Sequence, residues 1–586
     1  MRRSPLAVLT ALALLASACG SGAQAPSAAA PTSAPAATTA PAATTAPAAT
    51  AATSGNPTPA SSGANPAAQP TQSPADPQEI TVNALQGEPD NIDPNRSQFA
   101  TEAAVIRQVF EPLLTFDKDL KPVPAAATGF DVSADGKTYT FHLRTDGKFS
   151  DGTPVTAKDF EYSYKRLLDP KVGAEYASFF TDAGIVGAKA YNDGSGNASD
   201  VGVKAVDDHT LQIQLEQPIG YFPNLAALWV VPPLRQDIID KAGDGWAQDP
   251  STYIGNGPFK MTEWVHQDHI TLVANPNYVG ATTPTLQKIT LLMVESNEAD
   301  YAAYRNNERD WTLVPDADVQ TVRADPQLSK EAREYTELTT FWLQTNNARQ
   351  PLDNPLVRHA LARAIDRQAL IRDVSSGVGQ PAVSYIPPGM PGFQPELGQD
   401  IAFDPNAAKD LLRQAGFADP STFPHLRFRY ATTTANQTRA EFIQAQLRQN
   451  LGIQIDLDAM ETKAYQAAFK DKDYDLSYGG WSADYPDPQD WLSGLFSCNA
   501  SNNKYNYCDQ AFDQLAFKGD AQTDQNARLQ TYAQAQQTLE QDLPVAPLFN
   551  RGRMVLVKPW VQNLVITPRD DYPGLSFLTQ VSVAKH

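Results

Sequence analysis

The seven histidines include no His-Glu-x-x-His spacing and no grouping with acids and thiols that would ligate a metal ion. No Gly-x-Ser-x-Gly elbow, phosphate-cradling loop or dinucleotide fingerprint occurs either. Three cysteines, Cys19, Cys498 and Cys508, are too few for a Cys-rich zinc module, and the last two lie too far apart for a Cys-x-x-Cys redox pair. Carboxylates are plentiful: 66 Asp and Glu against 46 Lys and Arg give a net charge of −20. Their abundance nominates no glycosidase-like pair. The balance also opposes an extended phosphate-binding surface, which needs a concentrated positive field. These residues nominate no catalytic, metal or cofactor site, and no catalysis is expected of the chain.

The first residues do carry a signal. Arg2 and Arg3 precede a 13-residue apolar run, 6–18, which suits a secretory signal and is too short to span a bilayer. It ends Ala16-Ser17-Ala18-Cys19-Gly20, similar to a bacterial lipobox, with Ala16 in place of the usual large aliphatic residue. The expectation is a signal peptide over 1–18 and lipidation of Cys19; the alternative is ordinary cleavage that leaves a free thiol. From Gly20 to Ala75 there is no charged residue, and Pro-Ala-Ala-Thr units recur. Without large apolar side chains the stretch cannot offset the entropy of ordering, so 19–77 is expected to carry the lipid anchor and act as a disordered spacer.

The elements that must position a binding site begin after this spacer. Apolar periodicity predicts a strand over 80–85, a helix over 101–114, a strand over 139–144 and a hairpin around Asp207-Asp208-His209. Further helices are expected at 355–373, 406–415, 437–450 and 526–541, with strands at 426–430, 453–457 and 555–557. The mixture is α/β.

Motifs in the body then resemble one family in order along the chain. They run from Gly87-Glu88-Pro89-Asp90-Asn91-Ile92-Asp93-Pro94 through Phe149-Ser150-Asp151-Gly152-Thr153-Pro154 and Asn275-Pro276-Asn277-Tyr278. Val357-Arg358-His359-Ala360-Leu361, Trp481-Ser482-Ala483-Asp484-Tyr485 and Lys558-Pro559-Trp560-Val561 follow. The body is similar to the large, family 5 solute-binding proteins of bacterial ABC importers, the oligopeptide- and dipeptide-binding type. The resemblance implies a periplasmic-binding-protein-like, two-lobed α/β fold of type II with an extra subdomain and a hinge between lobes. On that pattern one lobe comprises 78–122, 247–345 and 553–586, the inserted subdomain 123–246, and the other lobe 346–552. It also implies an extracytoplasmic lipoprotein that captures short peptides for permease subunits served by separate ATPases, with no cofactor, no nucleic acid and no membrane contact beyond its anchor. In such an exported chain Cys498 and Cys508 are expected to pair as a local disulfide.

The resemblance places the ligand's α-ammonium at Asp484, with Trp481 and Tyr485 beside it; the bland alternative makes Asp484 a turn cap before Pro486. Tyr176 is expected either to touch peptide or to pack at a lobe surface, and Asn346 to contact peptide backbone or line the hinge. Asp151-Gly152 and Asp159 read as fold geometry, and Arg358 as an internal charge partner. Two positions depart from the family. Tyr478 stands where some relatives hold the peptide carboxylate with arginine, and Asn436 stands where a histidine does so. The departures imply longer peptides, another carboxylate partner, or a non-peptide solute such as an oligosaccharide or an opine-like compound. A hydrolase on the same scaffold and a surface adhesion or signalling receptor remain as alternatives of a different class.

Overall fold

The computed structural model describes residues 77–570 and 572–586. The signal segment, Cys19 and the Ala/Pro/Thr stretch lie outside the described residues.

Three sheets of four or more strands, beside two small two-stranded ones, organise the described residues. Strands Glu79–Val82, Lys288–Leu292, His269–Ala274 and Phe259–Val265 form the first, in that order, with only the Glu79–Val82 pairing parallel. Ala127–Val132, Thr138–Leu143, Thr210–Gln214 and Val203–Asp207 form an antiparallel second. The third is mixed and seven-stranded: Trp311–Leu313, Val545–Val557, Ala332–Thr345, Leu476–Ser482, Leu426–Ala431 and Ile455–Met460, with Gly379–Pro381 also paired to Val545–Val557. One apolar core joins the first two sheets to the chain end through residues such as Ile80, Phe141, Leu228 and Val581. Alternation along Ala332–Thr345 supplies two more: Leu343 packs with Phe428 and Leu447, and Trp342 with Trp491 and Phe496.

The long strands Ala332–Thr345 and Val545–Val557 pair with a register shift between Thr336 and Thr340. Glu337 sits in this irregularity, 1 % exposed, and takes Arg551 and Arg553 as ion-pair partners.

Several expectations are corrected in detail. The helix expected over 101–114 is Ala100–Val109, because Pro112 has no N–H with which to continue it. The helix expected over 355–373 is two, Pro355–Arg363 and Arg367–Val374, the second started by Asp366, whose carboxylate accepts the Ala369 N–H. The short strand expected at 555–557 is the end of a 13-residue one. Arg358 is not an internal ion-pair member. Its Nε donates to Asp542 O (3.1 Å) and Leu543 O (3.0 Å), serving the orphan carbonyls at the end of helix Gln525–Asp542. Asp159 closes a capping box on Thr156 at the start of helix Ala157–Leu168, and Asp151 accepts from Thr153 N and Arg235. Cys498 and Cys508 are disulfide-bonded with Cα atoms 4.4 Å apart.

One buried ion pair ties distant segments together. Arg528 Nη1 donates to Asp487 Oδ2 at 2.7 Å, a second bond runs from Nη2 to Oδ1, and Asn224 Nδ2 donates to Asp487 at 3.1 Å. Both charged side chains are almost wholly buried, at 1 % and 2 % exposure. Replacing Asp487 by Ala strands the guanidinium, so denaturant unfolding of Asp487→Ala is expected to show a loss of roughly 3–5 kcal/mol. A loss below about 1 kcal/mol, the size of an exposed pair, would contradict this role.

Candidate functional site

The site grows from the strand Leu476–Ser482. On one side it pairs along its whole length with Thr339–Thr345. On the other it pairs with Leu426–Ala431 only at Leu476 and Ser477. Residues 478–482 thus form an open strand edge, buried at Tyr478 and exposed at Ser482, available to an added strand. Gly479 and Gly480 fit this stretch because side chains would collide with neighbours: a Cβ at 479 would lie 2.2 Å from Gln344 Nε2, and one at 480 would lie 2.6 Å from Phe341.

Beyond the strand the chain turns through Ala483–Asp487 into the short helix Pro488–Trp491. Asp490 fixes this turn. Its Oδ2 accepts Trp481 Nε1–H at 3.1 Å and the Asp484 backbone N–H at 3.0 Å. Asp484 in turn accepts a hydrogen bond from Tyr176 Oη at 2.6 Å, across 308 residues of sequence. Tyr176 is held by aromatic neighbours: Phe179 stacks at 5.1 Å and Trp229 meets it edge-on at 5.2 Å. The Arg107 guanidinium lies 4.7 Å from the Trp229 ring centroid. Tyr485 is buried; its hydroxyl donates to Gln489, and its ring faces Tyr221 at 6.3 Å and the edge of Phe179 at 5.9 Å. A cavity of about 330 Å³ borders Asp490, Tyr485, Tyr221, Phe179 and Asp520. Another of about 290 Å³ borders Arg107, Trp229 and Phe116.

The electrostatics follow from burial. Desolvation, then the charge of Asp484, pushes the Tyr176 phenol well above its ordinary 10.0, so it stays a neutral donor. Desolvation likewise pushes Asp490 well above 3.8, and the Asp484 charge adds to this against the two N–H donors. Two carboxylates joined through one backbone amide, in an aromatic setting, form a site that gains most from a cation.

The structure therefore brings Asp484, Trp481, Tyr176 and Tyr485 together. It places Asn346 elsewhere: 2 % exposed, it donates to Lys472 O (2.8 Å) and Tyr474 O (3.1 Å) and accepts from Asn506 (2.9 Å), so its side chain is spent on internal bonds. Asn436 and Tyr478 lie towards the other end of the open edge; Asn436 Nδ2 donates to Ala431 O at 3.1 Å, and Tyr478 stacks on Phe341 at 5.2 Å. Sequence reasoning missed Asp490, whose only trace is a third acid after Asp484 and Asp487 in a Pro-rich turn. It missed Arg528 because its partner lies 41 residues away.

Ionising Asp490 costs the folded state more than the unfolded chain. Its stabilising contribution is full below pH 3.8 and is lost as pH rises through the raised folded-state pKa. Asp490→Asn keeps an oxygen for both N–H groups and removes the titration. In the ligand-free protein the melting temperature of Asp490→Asn, relative to wild type, is expected to climb as pH rises above about 4. A pH-independent difference would show that Asp490 does not titrate in this way.

Among the described residues no helix is long and apolar enough to cross a membrane, and no group of three or more His, Cys, Asp or Glu is arranged to hold a metal ion. The model of bacterial extracellular solute-binding proteins, family 5, matches residues 121–503. The chain is 32 % identical over 491 residues to the oligopeptide-binding protein OppA of Bacillus subtilis, covering 83 % of this chain and 88 % of that one. It is 31 % identical over 507 residues to the probable deoxycholate-binding periplasmic protein YgiS of Escherichia coli, covering 86 % and 94 %. The unliganded open form of MppA, a periplasmic murein tripeptide-binding protein, superposes with a TM-score of 0.75 at 30 % identity over 87 % of this chain and 98 % of that one. These relationships carry the two-lobed, type II mixed α/β fold with them. The chain belongs to the family 5 bacterial extracellular solute-binding proteins, which bind and do not catalyse, and it is the extracytoplasmic solute-capturing component of an ABC importer.

Proposed function

We propose that the chain captures short peptides in extended form, with the α-ammonium at Asp484 and the peptide backbone along the open edge 478–482, and passes them to permease subunits driven by separate ATPases. The observation that carries this reading is the Tyr176–Asp484–Asp490–Trp481 arrangement at one end of an unpaired strand edge. A desolvated ammonium needs a carboxylate partner, and main-chain hydrogen bonds supply affinity without selecting side chains. Tyr485 and Trp481 frame the ammonium end, while Tyr176 orients Asp484. Asp484 lies in the proposed lobe 346–552 and Tyr176 in the proposed subdomain 123–246, so a ligand seated here touches separate parts of the chain and favours the closed state. Lipidation at Cys19, with 19–77 as a tether, would keep the loaded protein at the membrane that holds the permease. The name of the Bacillus subtilis relative supports peptide as the solute.

A second reading, a non-peptide solute, is favoured by the name of the Escherichia coli relative YgiS and by Tyr478 and Asn436 at the departed positions. Native mass spectrometry of gently purified protein separates the two. Co-purifying peptides of mixed sequence and narrow length support the first; a single homogeneous compound without peptide supports the second. On the peptide reading, Asp484→Asn is expected to weaken peptide binding by roughly 2–5 kcal/mol in titration calorimetry. Unchanged affinity would remove Asp484 from the site.

A further inference from the structure

The cavity of about 330 Å³ that borders Tyr485 and Asp490 is a chamber apart from Asp484: neither Asp484 nor Trp481 nor Tyr176 lines it. Its size falls at the lower end of small-molecule sites, which run from about 300 to 1,000 Å³. Two distant stretches of chain enclose it. Residues 178–221 supply Phe179, Asp182 and Tyr221, and residues 485–520 supply Tyr485, Asp490, Phe517 and Asp520. The loop closed by the Cys498–Cys508 disulfide adds a polar wall through Asn499 and Asn502.

The charge of this lining has one sign. It includes the carboxylates of Asp182, Asp490 and Asp520, and no lysine or arginine among the described residues. Arg528, whose charge reaches Asp520, is committed to Asp487 and to the Tyr532 hydroxyl. Asp490 receives its two hydrogen bonds on Oδ2, from Trp481 and the Asp484 amide. Asp520 receives its two on Oδ1, from Ser493 at 3.1 Å and Tyr532 at 2.6 Å. Among the described residues neither carboxyl has a donor for its other oxygen. Desolvation lifts all three acids above the ordinary carboxylate value, Asp520 to about 7, so each gains from a cation that favours its charged form.

Tyr221 points to a ligand independently of the acids. Its side chain is 3 % exposed, yet its hydroxyl has no hydrogen-bond partner among the described residues, a costly state for a buried polar group. The charges of Asp520 and Asp182 both act on this phenol, so the hydroxyl lies within reach of both acids. The Tyr221 ring lies parallel to that of Tyr485, 6.3 Å away with 9° between the planes, and Phe179 meets Tyr485 edge-on at 5.9 Å. Phe517, 52 % exposed on helix Gln510–Ala521, marks the rim. Aromatic faces beside carboxylates suit an organic cation, because the ring quadrupole and the acids attract the same charge.

We infer that this cavity is a second binding site, for a small alkylammonium whose N–H groups are taken by Asp520, Asp182 and the Tyr221 hydroxyl while its methylene groups lie against Phe179 and Phe517. A neutral molecule of the same shape leaves the acids without a counter-charge, and an anion is repelled. The site goes beyond peptide capture and does not depend on it.

The test is titration calorimetry on the whole protein with 1,5-diaminopentane, and with pentane-1,5-diol as the neutral molecule of equal length. The wild type is expected to bind the diamine at least about tenfold more tightly than the diol. Tyr221→Phe removes a hydroxyl that no other group in the fold uses, and Asp182→Asn alters an exposed side chain. Each is expected to weaken the diamine by about threefold or more. Asp520→Asn, which keeps an oxygen for Ser493 and Tyr532, is expected to weaken it by about tenfold or more. No binding of the diamine, equal affinity for diamine and diol, or wild-type affinity in all three variants would overturn the assignment. So would a loss in Asp484→Asn that Tyr221→Phe and Asp182→Asn do not share, because it would put the amine at Asp484.

Discussion

One buried carboxylate governs the geometry of the turn after strand Leu476–Ser482, the proposed binding end. Asp490 gathers the Trp481 indole N–H and the Asp484 amide onto a single oxygen, and so folds the end of the strand back on itself. Without that closure, nothing in the local sequence directs the Asp484 side chain towards Tyr176. The cost is a carboxyl buried beside another acid, its pKa driven up by desolvation and by the charge of Asp484. A structure that merely optimised stability would not place two acids here; a site that must receive a cation gains from doing so. The Asp487–Arg528 pair anchors the same turn to helix Gln525–Asp542, and Asn224 joins it from 263 positions earlier in the chain.

Much of the local fold was legible in the sequence, and the reason is periodicity. Helices such as Pro405–Gln414 and Thr434–Leu451 and the strand Thr138–Leu143 announce themselves by spacing. The two longest strands did not. Ala332–Thr345 mixes Glu, Thr, Phe and Trp because its halves are buried in different surroundings, and a register shift interrupts its alternation at Glu337. Glu337 itself reads as a surface residue until Arg551 and Arg553, more than 200 positions away, are seen to close on it.

The proposed binding residues divide along the same line. Asp484, Trp481 and Tyr485 sit in one short run that a motif can capture, whereas Tyr176 gains its meaning only from a contact spanning 308 residues. Asn346 shows the opposite hazard. A conspicuous asparagine in a crossing segment turned out to be a cross-link whose bonds stay within the protein. Tyr478 and Asn436 read as losses of positive charge when compared position by position. In three dimensions both adjoin Arg439, which the helix Thr434–Leu451 carries one turn after Asn436. Recognition of an ionic end group requires a charge at a place, and several sequence positions can supply it.

Peptide capture at this site requires one orientation of the ligand along the 478–482 edge, and a crystal structure of the protein with a bound peptide measures that orientation directly. The expected density is an extended peptide whose α-ammonium lies within ion-pair distance of Asp484, beside the Tyr176 hydroxyl. Its main chain would pair with residues 478–482. A peptide running the other way, or one seated elsewhere and out of reach of Asp484, would contradict it.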